Sequence, residues 1–326
     1  MMGVNWNTPA SDRLNLDETF IKEAYRNITG IVIVRNGKLA YENYYHKNES
    51  EQTQHVASVT KSVLSALIGI AIDKGFIKSV EQQVLDFFPE YCTDDDVKQQ
   101  INIRHLLTMT VPYPYVDGHE PLDILCQQDD WVEYILNSMG EGGAIGPFKY
   151  SSAGAHLLSA ILTRSTGKTA LAFANEHLFQ PIGIKAIPNY PMASYGFDDL
   201  FGKNVKGWVH DPNGLSTGGW GLTMTTRDMA RIGSLYINEG LWNQQRILSK
   251  AWVQESVAGN SQHYGYLWWL REEEGLFSYA AVGDGGNVIC CIPTLNTVVA
   301  ISSFFMVNAP DRWLFIKEHI IPALMR

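Results

Sequence analysis

The sequence predicts an α+β fold: one antiparallel sheet built from both termini and flanked by helices, with a mainly helical lobe inserted. Three observations predict it. A β-branched hairpin lies near the N-terminus, several strand-like runs fill the last quarter, and the stretch between them reads as helix and loop. Strands at both ends with helices between them assemble into one sheet. The organisation this implies is an α/β lobe of residues 1–75 and 225–326 and a mainly helical lobe of residues 76–224, with a cleft between them.

Taken in order, the hairpin comes first. Gly30 to Val34 is β-branched, Asn36-Gly37 is a strong two-residue turn signal, and Leu39 to Tyr45 returns. A polar loop leads into the segment from Ser58 to Gly75. From Val63 to Ile72 almost every residue is apolar, so this helix is expected to be buried on all sides and to end at Gly75, a residue suited to the left-handed C′ position. Ser79 to Gln82 offers a capping box for a short helix ending before Pro89. Asp94-Asp95-Asp96 precedes a helix running through Ile103, Leu106 and Leu107. First-turn carboxylates explain this acidic triplet more simply than a cation site does.

Residues 111–149 are loop-rich with one helix around Trp131 to Met139, and a further helix follows from His156. A Pro- and Gly-rich stretch, Pro181 to Gly221, covers a surface or a cleft. Thr226 opens an amphipathic helix to about Asn238. Strands are expected at Tyr264–Leu270, Phe277–Val282, Val288–Ile292 and Val298–Phe304, and a last helix at Asp311–Met325.

The totals exclude several classes. The chain has 326 residues, 45% hydrophobic and 18% charged, which is ordinary for a soluble globular protein of enzyme size. A net charge of −9 argues against nucleic acid and against an anionic membrane surface as partners. The four cysteines show no disulfide or C-x-x-C spacing, which fits thiols in a reducing compartment. Met1 to Asn15 is polar with no signal-peptide core, and no apolar run reaches spanning length, so a cytoplasmic location is expected. The nine histidines show no H-E-x-x-H or H-x-H spacing, so neither a metal nor any other cofactor is expected.

The chemistry is expected in the first turn of the apolar helix. Ser58 and Lys61 are three residues apart and share a face. A serine hydroxyl needs a neighbouring base, a buried lysine can serve as one, and a helix N-terminus favours a developing oxyanion. The plainer alternative makes Ser58 an N-cap and Lys61 a solvated first-turn residue. S-x-x-K alone is cheap, roughly one chance occurrence in a chain this long. A second copy, Ser165 to Lys168, straddles a helix end at Gly167 and is discounted for that reason.

The order of motifs resembles the serine β-lactamase-like hydrolases, the group holding class C β-lactamases, DD-peptidases, family VIII esterases and aminohexanoate-oligomer hydrolases. The resemblance spans most of the chain. It rests on Ser58-Val59-Thr60-Lys61, the segment Ile101 to Thr110, Tyr150-Ser151-Ser152, Gly218-Gly219 leading into Thr225 to Ala230, and Gly283-Asp284-Gly285-Gly286-Asn287. It implies that Ser58 is the acylated nucleophile and that Lys61 and Tyr150 share its deprotonation. A tyrosine ordinarily titrates near ~10 and needs a nearby cation to become a useful base. The oxyanion hole implied is the N–H of Ser58 with a strand N–H near Asn287. Ser152, Asp284, Gly285 and Gly286 are the substrate-binding candidates, the glycines allowing close approach to the strand edge.

Two departures from the family pattern bear on substrate. Ser152 stands where many members carry Asn. Asp284-Gly285-Gly286 stands where the family has K-T-G or H-x-G, whose cation helps hold a substrate carboxylate in β-lactamases and DD-peptidases. A carboxylate there repels such a group, by several kcal/mol if desolvated. The function implied is a serine hydrolase cleaving a small ester, amide or peptide substrate, neutral or amine-bearing. A β-lactamase or DD-peptidase proper, or a catalytically silent binding protein on the same fold, is the alternative.

Overall fold

The structure, a computed structural model, describes residues 5–9, 14–259 and 262–325. Part of the polar stretch Met1 to Asn15 therefore lies outside the described residues. A seven-stranded sheet organises the chain. Its strands are β1 (Asn5–Pro9), β2 (Ile28–Arg35), β3 (Lys38–Tyr44), β4 (Trp269–Glu273), β5 (Leu276–Gly283), β6 (Asn287–Ile292) and β7 (Thr297–Ser303), in the order β1-β3-β2-β7-β6-β5-β4. All pairs are antiparallel except β1, which runs parallel to β3. The expected joining of both termini is the β2–β7 pair, where Val34 faces Val298 and Ile31 faces Ile301. The Asn36-Gly37 turn forms as expected, with both φ angles positive.

Each sheet face is covered differently. On one face lie α1 (Glu18–Ala24) and a continuous C-terminal helical run of Arg312–Phe315, Ile316–Ile320 and Ile321–Leu324. On the other lie α2 (Val59–Asp73) and α4 (Thr226–Ile237), with α3 (Ser152–Thr166) packed against the far side of α2. The expected helix after Ser58 is therefore real, and every residue from Val59 to Ala71 is buried. Burying a Val, Leu or Ile side chain is worth roughly 1.5–3 kcal/mol, so its apolar run makes α2 a central pillar. It stops at Gly75, whose φ is +77°.

Elsewhere the structure departs from expectation. Ser79 to Phe88 forms only a 3-10 turn, Val84–Phe87, and Ser79 Oγ accepts from the Glu81 N–H instead of capping a helix. The predicted helix after Asp94 is two short ones, Asp96–Gln100 and Ile103–Leu107, each with its own cap. Asp95 caps the first, which explains the acidic triplet, and Asn102 forms a capping box with His105 at the second. Tyr264–Leu270 is not one strand: Leu267 takes a φ of +60° and regular pairing begins at Trp269. The helix expected from His156 starts earlier, at Ser152, because Ser151 caps it. Among the described residues, no helix is long and apolar enough to cross a membrane.

Candidate active site

Ser58 enters α2 through a tight turn. Ala57, just before it, has a φ of +48°, a left-handed conformation that costs a non-glycine residue roughly 1–2 kcal/mol. Its neighbours hold it there. The His55 ring accepts the Ala57 N–H through Nδ1 at 3.2 Å, Thr60 Oγ1 donates to the Ala57 carbonyl at 2.7 Å, and Gly283 packs against Val56 and Ala57. Burial pushes the His55 imidazole down to about 4, so it stays neutral with Nε2 toward the Leu200 carbonyl. Ser58 occupies the N-cap position, yet its side chain makes no capping bond. Instead Ser58 Oγ accepts from Lys61 Nζ at 3.0 Å.

Lys61 is not solvated, being only 1% exposed. Its ammonium group reaches three oxygens: Ser58 Oγ at 3.0 Å, Ser152 Oγ at 3.0 Å and the Gly219 carbonyl at 2.7 Å. It also lies 4.7 Å from the centre of the Tyr150 ring. The carbonyl can only accept, which fixes one N–H. Each hydroxyl can donate or accept, so a neutral Lys61 can turn its lone pair to Ser58 without moving. The second S-x-x-K copy shows the contrast. Ser165 Oγ bonds back to the Ile161 carbonyl, while Lys168 pairs with Glu176 on the surface.

Tyr150 and Ser152 reach this cluster because the loop before α3 is anchored from behind. The Glu120 carboxylate accepts from the Ser152 N–H at 2.7 Å, the Ala153 N–H at 2.8 Å and Ser151 Oγ at 3.0 Å. Asp117 accepts the Tyr150 N–H at 2.8 Å. The Tyr150 ring stacks on Trp269, with centroids 5.8 Å apart and planes at 19°, and meets the edge of Tyr264. The Tyr264–Trp269 run is split between core and site: Trp268 packs in the core against Tyr236, and Trp269 supports Tyr150. Sequence reasoning missed Glu120 and Asp117, which lie about thirty positions before the groups they hold.

The segment carrying Gly219 is fixed as firmly. A Cβ on Gly219 would stand 2.7 Å from Ser152 Cβ, so only glycine lets this carbonyl approach Lys61 past α3. The Gly218 N–H donates to His156 Nδ1 at 3.4 Å, which leaves the imidazole proton on Nε2, 3.1 Å from Asp211. Both members of that pair are fully buried. His156, read from sequence as one of several scattered histidines, ties α3 to the loop that supplies Gly219.

The strand side of the site differs from expectation in two places. Asn287 is buried and committed elsewhere: its amide donates to the His55 and Asp284 carbonyls, and its oxygen accepts from the Ser303 N–H. Its backbone pairs with Gly283 in the β5–β6 ladder. Gly283, not Asn287, abuts the start of α2. Since the Gly283 carbonyl turns toward β6 to accept from Gly286, Val282 directs its N–H to the open edge of β5. Gly285 and Gly286 are turn residues with φ of +82° and +93°. Their space is filled by the Phe305 backbone and the Arg312 guanidinium, so they offer no open edge to a substrate. Asp284 is exposed beside them.

Among the described residues, no group of three or more His, Cys, Asp or Glu could hold a metal ion. A serine, a buried lysine and a tyrosine converging at a helix start beside a sheet edge define a serine-hydrolase scaffold. The chain belongs to the beta-lactamase family, whose model matches residues 19–314. It is 24% identical over 303 residues to the 6-aminohexanoate-dimer hydrolase of Paenarthrobacter ureafaciens, covering 83% of this chain and 71% of that one. Its fold is similar to that of a penicillin-binding protein from Bacillus halodurans (TM-score 0.68, 20% identity, 92% and 98% of the two chains). It is also similar to that of the D-amino acid amidase from Ochrobactrum anthropi SV3 (TM-score 0.64, 14% identity, 87% and 90%).

Proposed function

We propose that this protein hydrolyses a small ester or amide through an acyl-enzyme on Ser58, in a cleft between a lobe of residues 1–75 and 225–326 and a lobe of residues 76–224. One observation carries this reading: Lys61 Nζ holds Ser58 Oγ, Ser152 Oγ and the Gly219 carbonyl together while lying against the Tyr150 ring. Lys61 and Tyr150 act as general base and acid, taking the Ser58 proton during attack and returning it to the leaving group. The oxyanion is received by the Ser58 N–H, which has no acceptor among the described residues, and by a peptide N–H at the open edge of β5 near Val282, in place of Asn287. Water then attacks the acyl-enzyme, with the same pair reversing roles. Ser152 orients Lys61 through its hydroxyl. The intact cluster weighs against a silent binding protein.

Asp284 steers the substrate away from carboxylates and toward neutral or amine-bearing molecules. The aminohexanoate-dimer hydrolase relative is named for an amino-acid dimer, which carries an amine at one end and a carboxylate at the other, so it matches the amine-bearing part of this reading alone. Because Asp284 is exposed, solvent screens its repulsion, which is smaller than a desolvated charge would give. Wild type is expected to cleave short-chain nitrophenyl esters and to cleave a chromogenic cephalosporin poorly. Asp284→Lys raises cephalosporin kcat/KM roughly 3–10-fold. Cephalosporin turnover by wild type that rivals the esters would overturn the carboxylate argument.

Glu120 is a positioning residue in this scheme. In Glu120→Gln the amide NH2 confronts N–H donors, and the Tyr150–Ser152 segment shifts. Misplacement by about 1 Å costs up to about 100-fold, so kcat on nitrophenyl acetate should fall 10–100-fold with little change in KM. A kcat within twofold of wild type would show that Glu120 does not position the site.

A further inference from the structure

We infer that the cavity behind β5 is an apolar subsite for the substrate, so that the preferred ester or amide carries a medium-length alkyl chain or an uncharged ring. This rests on the reading of Ser58 as nucleophile. The cavity measures about 870 Å³, within the range of small-molecule sites. Its floor is the sheet face turned away from α2. Register puts Trp269 beside Ala280, Ala280 beside Cys290 and Val282 beside Val288 on that face. Ser278 and Ala280 are small, so the floor lies deep. The opposite wall is the segment from Phe305 to Ile316, which lines the cavity with Pro310 and Trp313 and carries the exposed Val307 at its rim.

Two residues join this cavity to the catalytic cluster. Trp269 lines the cavity and stacks on Tyr150. Gly283 lines it and packs on Val56 and Ala57, next to Ser58. A substrate held at Ser58 along the open edge of β5 therefore lies next to residues that line the cavity.

The charges in the cavity decide what enters. Arg271 lies 4.7 Å over the Trp313 ring and 3.7 Å from Glu273, and Glu273 also takes Lys317 and the indole N–H of Trp313. Arg312 is spent on Asn27, Ser303 and the Gly286 and Pro310 carbonyls. Asp311 caps the C-terminal helical run, and the exposed Asp284 lines the cavity beside Gly283. Arg271 and Arg312 are thus engaged, while the exposed Asp284 and Glu272 carboxylates line the cavity, so an anionic tail is refused and an apolar neutral one fits. Each methylene buried there should raise kcat/KM about 2–4-fold.

The test compares kcat/KM for nitrophenyl octanoate over nitrophenyl acetate and for octyl acetate over ethyl acetate, sampling both sides of the scissile bond. At least one ratio should exceed ~10 in wild type. It should fall tenfold or more in Ala280→Trp, which fills the floor. Each ratio is read within one preparation, so a partly unfolded fraction cancels. Val307→Asp, at a rim position 73% exposed, replaces it if Trp at 280 prevents folding. Calorimetry on Ser58→Ala with the preferred octyl compound should show binding that Ala280→Trp weakens tenfold. Ratios near one, or ratios and binding unmoved by both variants, overturn the subsite. Hydrolysis that survives Ser58→Ala overturns the nucleophile instead, and the binding data then judge the cavity alone.

Discussion

Ser58→Ala should lower ester hydrolysis by about 10⁴-fold or more and abolish covalent labelling by a fluorophosphonate probe. The magnitude follows from the chemistry, since without Oγ no acyl-enzyme forms and only binding and the oxyanion donors remain. The variant should stay folded. Among the described residues Ser58 Oγ has one partner, Lys61, and makes no cap bond, so its loss removes no structural support from α2. Thermal unfolding within a few degrees of wild type, with labelling lost, is the expected pair of results. Labelling that persists in Ser58→Ala would place the nucleophile elsewhere.

Lys61→Met should cost about 10³–10⁴-fold in kcat/KM, the upper range for a general base and acid. Methionine keeps the apolar stem that α2 buries but removes the amine that three oxygens share. The expected signature is a slowed acylation step: fluorophosphonate labelling of Ser58 should become slow, not absent, because the serine is still present. A parallel loss of stability is expected, since the buried Gly219 carbonyl loses its donor, at roughly 1–3 kcal/mol. Activity within tenfold of wild type would remove Lys61 from the chemistry and leave it a structural cation.

Much of this architecture was legible in the chain because the signals are local. Asn36-Gly37 announces its turn, the run from Val63 to Ile72 announces a buried helix, and Gly75 announces its end. Ser58, Lys61, Tyr150 and Ser152 are brought together in the structure as the motif order implied. What was not legible is held by side chain-to-backbone bonds across long separations. Nothing around Glu120 predicts that its carboxylate will meet the start of α3. Asn287 misled for the converse reason: its position in the motif was right, but Gly283 occupies the place beside Ser58. Gly285 and Gly286 read as an open strand edge because sequence does not reveal that Arg312 and Phe305 fill the space beside them. Leu267 broke the expected strand because a non-glycine residue gives no warning of a positive φ.

The β2–β7 pairing has a consequence for how the chain is made. β2 ends at Arg35 and its partner at Ser303, so the hairpin emerges from the ribosome long before the strand that closes it. At translation rates of about 5–20 residues per second, that interval is roughly 15–50 s. Throughout it the buried edge of β2, rich in Ile and Val, is exposed beside a nascent α2 that has no sheet to lie on. Such an edge is open to pairing with another chain. Release before the last strand is synthesised should therefore yield aggregation-prone fragments without activity, because Gly283 and the β5 edge reach Ser58 only when the sheet closes.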